Sequence, residues 1–410
     1  MLFSNLREEY MNIDILILNT AVVDFRSDEF GFVGKLAGPG GLAKCKSTDM
    51  PSYTQNLYKQ WIDGGKAAAG GPGNTAPLIA KAGLKVAVGV NLGKGNFDGL
   101  DIQGRFFYET MKKYNVDMSQ IFIHPDLPTG TTFIDEKANH ERGGIVYFPN
   151  ANNEFDFEYF KKSVKKLKPK IVFYMYSGLS DRGDANNGKD LANFIKWCME
   201  KGITTIADSH TLAGNPQSLI EKEKFVLEYK LLEPLLPVLD IFFTSYDEAR
   251  MIENTIGEKG RYAGVSQEEY IENFLRWLSA RFWSANNNPR ILGVTVKDGA
   301  YVIYRDAHSN ITGPTKVTSS FMTGNVNDLA GAGDSFRAGL ITYIAKKTSS
   351  FRNNKIEIEQ AVQMGNLFAS LYIKAPLMDR YSFIVTFERM LNVIETKIVF
   401  QSFEELLRAL

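Results

Sequence analysis

Cysteine is nearly absent from this chain of 410 residues: only Cys45 and Cys198 occur. That is too few for a disulfide-stapled secreted domain and fits a reducing compartment. Histidine is almost as scarce. His124, His140, His210 and His308 are scattered, with no HExxH and no paired cysteine spacing, which argues against a zinc centre. An excess of one charge is missing too. Lys+Arg and Asp+Glu both number 47, so no surplus is available to hold a nucleic-acid backbone. The basic run Lys161–Lys166 lies on a helical pattern and reads as a solvated face. No stretch of about 18 uninterrupted apolar residues suggests a membrane span. The opening MLFSNLREEYMNID carries acids and no long apolar core, unlike a signal peptide. The expectation is a cytoplasmic protein with no nucleic-acid or membrane partner.

What is present is an alternation of short apolar runs and longer amphipathic stretches. Strands are predicted at Ile15–Asn19, Val86–Val90, Ile171–Tyr174, Thr204–Ala207, Ile241–Thr244, Ile291–Val296 and Tyr301–Tyr304. Helices are predicted at Thr75–Ala82, Ile102–Tyr114, Asp190–Lys201, Ser266–Arg281, Ser335–Lys346 and Glu357–Ile373. Strands that are apolar throughout, separated by helices, imply a parallel sheet covered on both faces, a doubly wound α/β architecture. Two regions break the rhythm. Residues 26–73 are rich in Gly, Lys and Ser, and Thr129–Phe148 alternates like a half-exposed hairpin turning near Asn139 and Gly143-Gly144. Together they predict a small β appendage over the mouth of the sheet.

Two segments carry the chemistry. In Asp328-Leu-Ala-Gly331-Ala332-Gly333-Asp334 the small residues leave backbone N–H groups uncovered where a helix begins, an anion site suited to phosphate. Asp334 reads either as a helix cap or as a base beside that site. Three small neighbours, which a cap does not need, favour the base. In Gly70-Gly71-Pro72-Gly73-Asn74-Thr75-Ala76 the glycines let a ligand approach the backbone and Asn74 offers a donor and an acceptor. Taken alone, that segment also reads as a turn with Asn74 as cap. It is neither a Walker A loop nor a dinucleotide fingerprint.

Together the two segments resemble the paired signatures of the ribokinase-like (pfkB-type) carbohydrate kinase family: Gly70, Gly71, Asn74, Ala76, Gly83 and Gly93, then Asp328 to Asp334. Asp101-Ile-Gln-Gly104, Thr129-Gly130-Thr131 and Asp208 fit as intervening landmarks. The resemblance implies a Rossmann-like core with a β-sheet lid in a single domain over 1–410, the lid built from about 16–60 and 124–150. It implies transfer of the γ-phosphoryl group of ATP, with Mg²⁺ and, as a further candidate, a monovalent cation such as K⁺. Asp334 would be the general base and the backbone of Gly331, Ala332, Gly333 and Asp334 the anion hole. Gly70, Gly71 and Asn74 would border the acceptor, and Asp24, after the first strand, is a candidate to hold its hydroxyls. The family's Asn-x-x-Glu aligns with Ser245-Tyr-Asp-Glu248, which makes Glu248 the metal candidate and Ser245 a departure. Thr295, Lys297 and Gly299 align with the nucleotide-edge loop and Asn366 with the helix bordering adenine. Leu329 replaces the common Thr.

Insertions at 27–66 and 212–233 lie where specificity is set, so a sugar acceptor competes with a nucleoside. Phe30, Phe32, Phe133, Tyr147 and Phe148 are candidates for a base platform. A non-catalytic sensor is the third reading. Lid sheets paired between subunits would give a homodimer, unless the insertion covers that edge.

Overall fold

A computed structural model describes residues 12–136, 142–258, 264–283 and 288–410. The predicted turn residue Asn139 lies outside them. Eight strands form the main sheet, in the order Ile311–Thr318, Gly299–Arg305, Arg290–Val296, Ile241–Ser245, Thr204–Ala207, Ile171–Tyr174, Ile15–Leu18 and Val86–Gly89. The last six run parallel, while the first two fold back antiparallel at one edge. Ile15–Leu18 shows why such strands are apolar throughout. Ile15 and Ile17 enter one core with Leu340, Ile341 and Phe368, whereas Leu16 and Leu18 enter another with Phe160 and Val164. Both faces are covered, so polarity has no face to occupy.

The antiparallel edge follows from the turn at Lys297-Asp298. Gly299 sits at φ +146°, and a Cβ there would come within 2.2 Å of the Val317 carbonyl, so glycine starts the returning strand. Helix Ala332–Lys346 packs against Ile358–Lys374 at a close crossing. A Cβ on Gly339 would lie 2.3 Å from the Met364 carbonyl.

A second sheet has the order Leu42–Lys44, Arg142–Phe148, Gly130–Glu136, Val22–Ser27 and Ala67–Gly70. Residues 16–18 therefore belong to the main sheet, and Ala67–Gly70, four small residues with no alternation to betray a strand, belongs to the second. Gly143 and Gly144 are in a strand, not in the turn. A Cβ on either would meet a carbonyl oxygen at 2.0 Å, from Asp135 and Ala37 respectively. Alternation splits this sheet cleanly. Val22, Asp24, Thr132, Ile134, Ile145 and Tyr147 line a cavity against the main sheet. On the opposite face Phe25 and Phe133 stack at 6.1 Å and pack with Tyr58 and Trp61 of helix Gln55–Asp63. The first insertion thus roofs the outer face of the second sheet. Of the five aromatics considered as a base platform, Phe30, Phe32, Phe133 and Phe148 are in this outer cluster and only Tyr147 faces the cavity. The two insertions also touch: Gly38 N–H donates to the Gly214 carbonyl and Leu42 N–H to that of Ala213, each at 2.8 Å. Among the described residues, no helix is long and apolar enough to cross a membrane.

Candidate active site

The carboxyl ends of the parallel strands open toward the second sheet, the place where open α/β sheets put their ligands. Three non-glycine residues that line the cavity there have left-handed backbones: Thr20 at φ +52°, Tyr176 at +63° and His210 at +52°. A β-branched residue such as Thr20 rarely adopts this region. Its Oγ1 donates to the Met175 carbonyl at 3.1 Å, which ties two strand ends together. Gly71, at φ +58°, answers it, because a Cβ there would lie 2.0 Å from the Thr20 carbonyl. Gly70 ends its strand beside Asp24, whose carboxylate oxygens would be 2.6 and 2.7 Å from an added Cβ.

Asp334 occupies the first turn of helix Ala332–Lys346, yet its side chain does not cap the helix. Gly331 is the cap residue, left-handed at φ +86°, and no side-chain cap bond forms. Asp334 Oδ2 instead accepts from Tyr176 OH at 2.6 Å and Asn74 Nδ2 at 3.0 Å. Nor does Asn74 cap a helix: its Oδ1 accepts from Tyr372 OH at 2.6 Å. The two sequence segments therefore meet directly across 260 residues. Gly331 is squeezed between Tyr372 and Asn74, with an added Cβ 2.9 and 3.1 Å from them. The Ala332 N–H is used locally by the Leu329 carbonyl at 3.1 Å. Gly333 and Asp334 follow within the first helical turn, where amides lack intrahelical acceptors.

Arg337, one turn after Asp334, is the residue sequence reasoning missed that matters most. Its guanidinium lies 3.6 Å from Asp334 Oδ1 and 3.3 Å from Asp208 Oδ2, and donates to the Phe243 carbonyl at 3.0 Å. Burial raises the Asp208 carboxyl, and Arg337 opposes that rise. Asp208 also accepts from the Tyr176 N–H at 2.6 Å, holding that residue in its unusual backbone conformation. Burial raises Asp24 as well, partly offset by Arg26 and by the Thr132 hydroxyl bonded to it. The spacing of Asp334 and Arg337, i and i+3 on one helix, was a usable signal. Tyr176, Tyr372, Arg26 and Arg380 had none. Asp328 is ion-paired to both Arg26 and Arg380.

The other candidates lie at the far ends of the later strands. Ser245 caps helix Tyr246–Ile256 in a capping box: its Oγ accepts from the Glu248 N–H at 3.3 Å and its own N–H donates to Glu248 Oε2 at 2.9 Å. Glu248 also accepts from Thr244 Oγ1 at 2.9 Å and Thr211 Oγ1 at 3.3 Å. Burial would raise this carboxyl, but Arg337 and the Ser245 amide overcome it and the net shift is downward. With both oxygens engaged, Glu248 fits a hydrated metal ion carried by a ligand better than an ion bound directly. Among the described residues no group of three His, Cys, Asp or Glu is placed to hold a metal. Thr295 pairs with Ser245 across the sheet and donates to the Thr244 carbonyl at 3.3 Å. Lys297 is exposed on the hairpin turn and Gly299 is buried beside it. Asn366 is buried on helix Ile358–Lys374, its Nδ2 3.2 Å from Gln363 Oε1.

Residues 56–280 match the model of the pfkB family carbohydrate kinases. The match takes in the Gly70–Asn74 turn and Glu248, and it stops before Asp328–Asp334. No curated protein sequence matches the chain significantly. Among solved structures, it is similar to a probable sugar kinase from Rhizobium etli CFN 42, at 17% identity and TM-score 0.60, over 89% of this chain and 94% of that one. It is equally similar to adenosine kinase from Sinorhizobium meliloti, at 17% identity and TM-score 0.61, over 90% and 98%. Fructokinase with bound ATP from Xylella fastidiosa aligns at 16% identity and TM-score 0.60, over 94% and 98%. At these identities the likeness is one of fold.

Proposed function

Because the chain belongs to the pfkB family of carbohydrate kinases, we propose that it moves the γ-phosphoryl group of Mg²⁺-bound ATP onto a hydroxyl of a sugar or sugar derivative. The observation that carries this reading is the Asp334 carboxylate, buried at a helix start, released from capping, and facing a cavity that it shares with Asp24 and Asn74. In the proposed reaction the acceptor hydroxyl lies against Asp334, which takes its proton as the oxygen attacks the γ-phosphorus. Asp24 and Asn74 hold neighbouring hydroxyls. The Gly333 and Asp334 N–H groups and the helix dipole face the charge on the transferring group, the Ala332 N–H being taken by the Leu329 carbonyl, and Arg337 adds a fixed cation behind it. Phosphoryl transfer is mainly positioning and electrostatic stabilisation, which such a frame supplies. Glu248 would hold a nucleotide-borne Mg²⁺ through water, and the ion would supply charge neutralisation on the phosphates.

One observation favours a nucleoside acceptor as the second reading. Five aliphatic side chains, Val22, Leu42, Ile134, Ile145 and Leu179, line the same cavity and would suit the flat face of a base. The space within this partly open cavity is about 50 Å³, below the roughly 150 Å³ that admits a benzene. Either acceptor therefore requires the cavity to widen.

The test is ADP release from ATP-Mg²⁺ over a panel of pentoses, hexoses, sugar acids, sugar phosphates and nucleosides, with Asp334→Asn alongside. We expect one acceptor class to respond and Asp334→Asn to lower its rate by about 10²–10⁴-fold. Normal turnover in that variant would sink the assigned base. ATP binding without turnover on any acceptor would favour the sensor reading.

A further inference from the structure

We infer that Arg380 is a positioning residue for the Asp334 base: through Tyr372 and Asn74, its guanidinium decides which end of the Asn74 amide meets the carboxylate. The inference rests on the kinase reading above and adds a residue from the C-terminal segment to it. Arg380 Nη1 lies 2.7 Å from Tyr372 OH and 2.9 Å from the Ala330 carbonyl. A guanidinium only donates, so the Tyr372 oxygen must accept there and send its single proton elsewhere. Asn74 Oδ1, 2.6 Å away, receives it. The carbonyl end of the amide is then fixed toward Tyr372, and Nδ2 is left to donate to Asp334 Oδ2 at 3.0 Å. The flipped amide would set an oxygen against a carboxylate oxygen and leave the Tyr372 proton facing an N–H group with no acceptor.

Asp334 Oδ2 thus receives two protein donors, Asn74 and Tyr176. Oδ1, which among the described residues has the Arg337 guanidinium 3.6 Å off as its one side-chain partner, is the oxygen left to take a substrate proton. Every member is sequestered from water: Arg380 is 4% exposed, Tyr372 1%, Asn74 6% and Asp334 6%. In such surroundings polar networks gain strength and lose alternatives. Arg380 is itself anchored by the Asp328 carboxylate, the first residue of the same motif, which also holds Arg26 of the second sheet. Asp328 therefore acts on Asp334 along two routes, the local turn and the long relay.

Tyr372→Phe removes one hydroxyl and leaves the ring and the buried guanidinium in place, and Arg380→Met removes the donor. We expect each to lower kcat by about 10²-fold, the cost of a slightly misplaced group, with KM for ATP unchanged. The double variant should be no slower than either single one, because the two act as a unit. Arg380→Lys, still donor-only, should recover most of the lost rate. In an Asp334→Asn background Tyr372→Phe should have no further effect. Wild-type kcat in Tyr372→Phe would overturn the relay while leaving the base assignment intact. Losses that add in the double variant, or that track lost ATP affinity and melting temperature, would overturn it too. Normal turnover in Asp334→Asn would instead bring down the reading beneath it.

Discussion

The two halves of the site are built in opposite ways. Around Asp334 and Asp24 the side chains are wired to one another: Tyr176, Asn74, Tyr372, Arg380 and Arg337 form a continuous buried network with contacts drawn from four distant stretches of chain. Around Ser245, Thr295 and Lys297 the contacts are those of regular secondary structure and serve the fold, namely a capping box, a strand pair and an exposed hairpin turn. The difference follows from what each half has to do. A proton-accepting carboxylate must be held in one orientation before the acceptor arrives, and a buried network does that. A nucleotide that brings its own phosphates and metal needs a track at the strand ends more than a fixed constellation.

Substitutions can break that contrast. The largest effect is expected from Arg337→Met, which leaves Asp208 buried without its cation. Stability should fall by about 3–5 kcal/mol, read by urea unfolding, and a loss below 1 kcal/mol would show that the wiring is dispensable. Tyr176→Phe removes one donor from a charged acceptor, worth roughly 1.5–3 kcal/mol. That should appear mainly as a lower kcat for the best acceptor, and an unchanged kcat would contradict the proposed orientation of Asp334. In the other half, Ser245→Ala should cost only the cap, about 1 kcal/mol, in thermal unfolding. The same box has a pH signature. Glu248 is held below its ordinary value, so its stabilising contribution is complete above the unfolded value of 4.5 and is lost as pH falls through the lower folded one. Glu248→Gln should flatten that part of the acid-unfolding curve, and an identical curve would mean the box carries no charge-linked stability. Smallest of all, Lys297→Ala should change stability by less than about 0.5 kcal/mol. Its KM for ATP is the sharper readout, since a large rise would show that the exposed turn grips the nucleotide after all.

The same contrast explains what was legible in the sequence. Strands such as Ile171–Tyr174 and Thr204–Ala207 coincide with their apolar runs because burial on both faces leaves one composition possible. Helices Ile102–Lys113 and Ala332–Lys346 start where Asp101 and the glycine turn mark them. The meeting of the Gly70–Asn74 turn with Asp334 was legible only as a resemblance, since no spacing rule joins residues 260 positions apart. Arg380 and Tyr372 were invisible for the same reason. An arginine in Met378-Asp379-Arg380-Tyr381 carries no local sign that it will be buried against Asp328. Ala67–Gly70 was missed because its side chains are too small to alternate, and the Gly143-Gly144 pair misled because glycine marks close backbone approach as often as it marks a turn.

The pair of backbone hydrogen bonds joining residues 38 and 42 to 214 and 213 has a kinetic side. One strip leads into an edge strand of the second sheet, and the other is rooted in the main sheet just beyond Asp208. If the second sheet withdraws on this side, both bonds must part, so admission to the cavity proceeds by discrete openings and not by gradual breathing. The Gly38 and Leu42 amides would then act as clocks. Their protons can exchange with solvent only while the door stands open, and a bound acceptor that keeps it shut would slow both together.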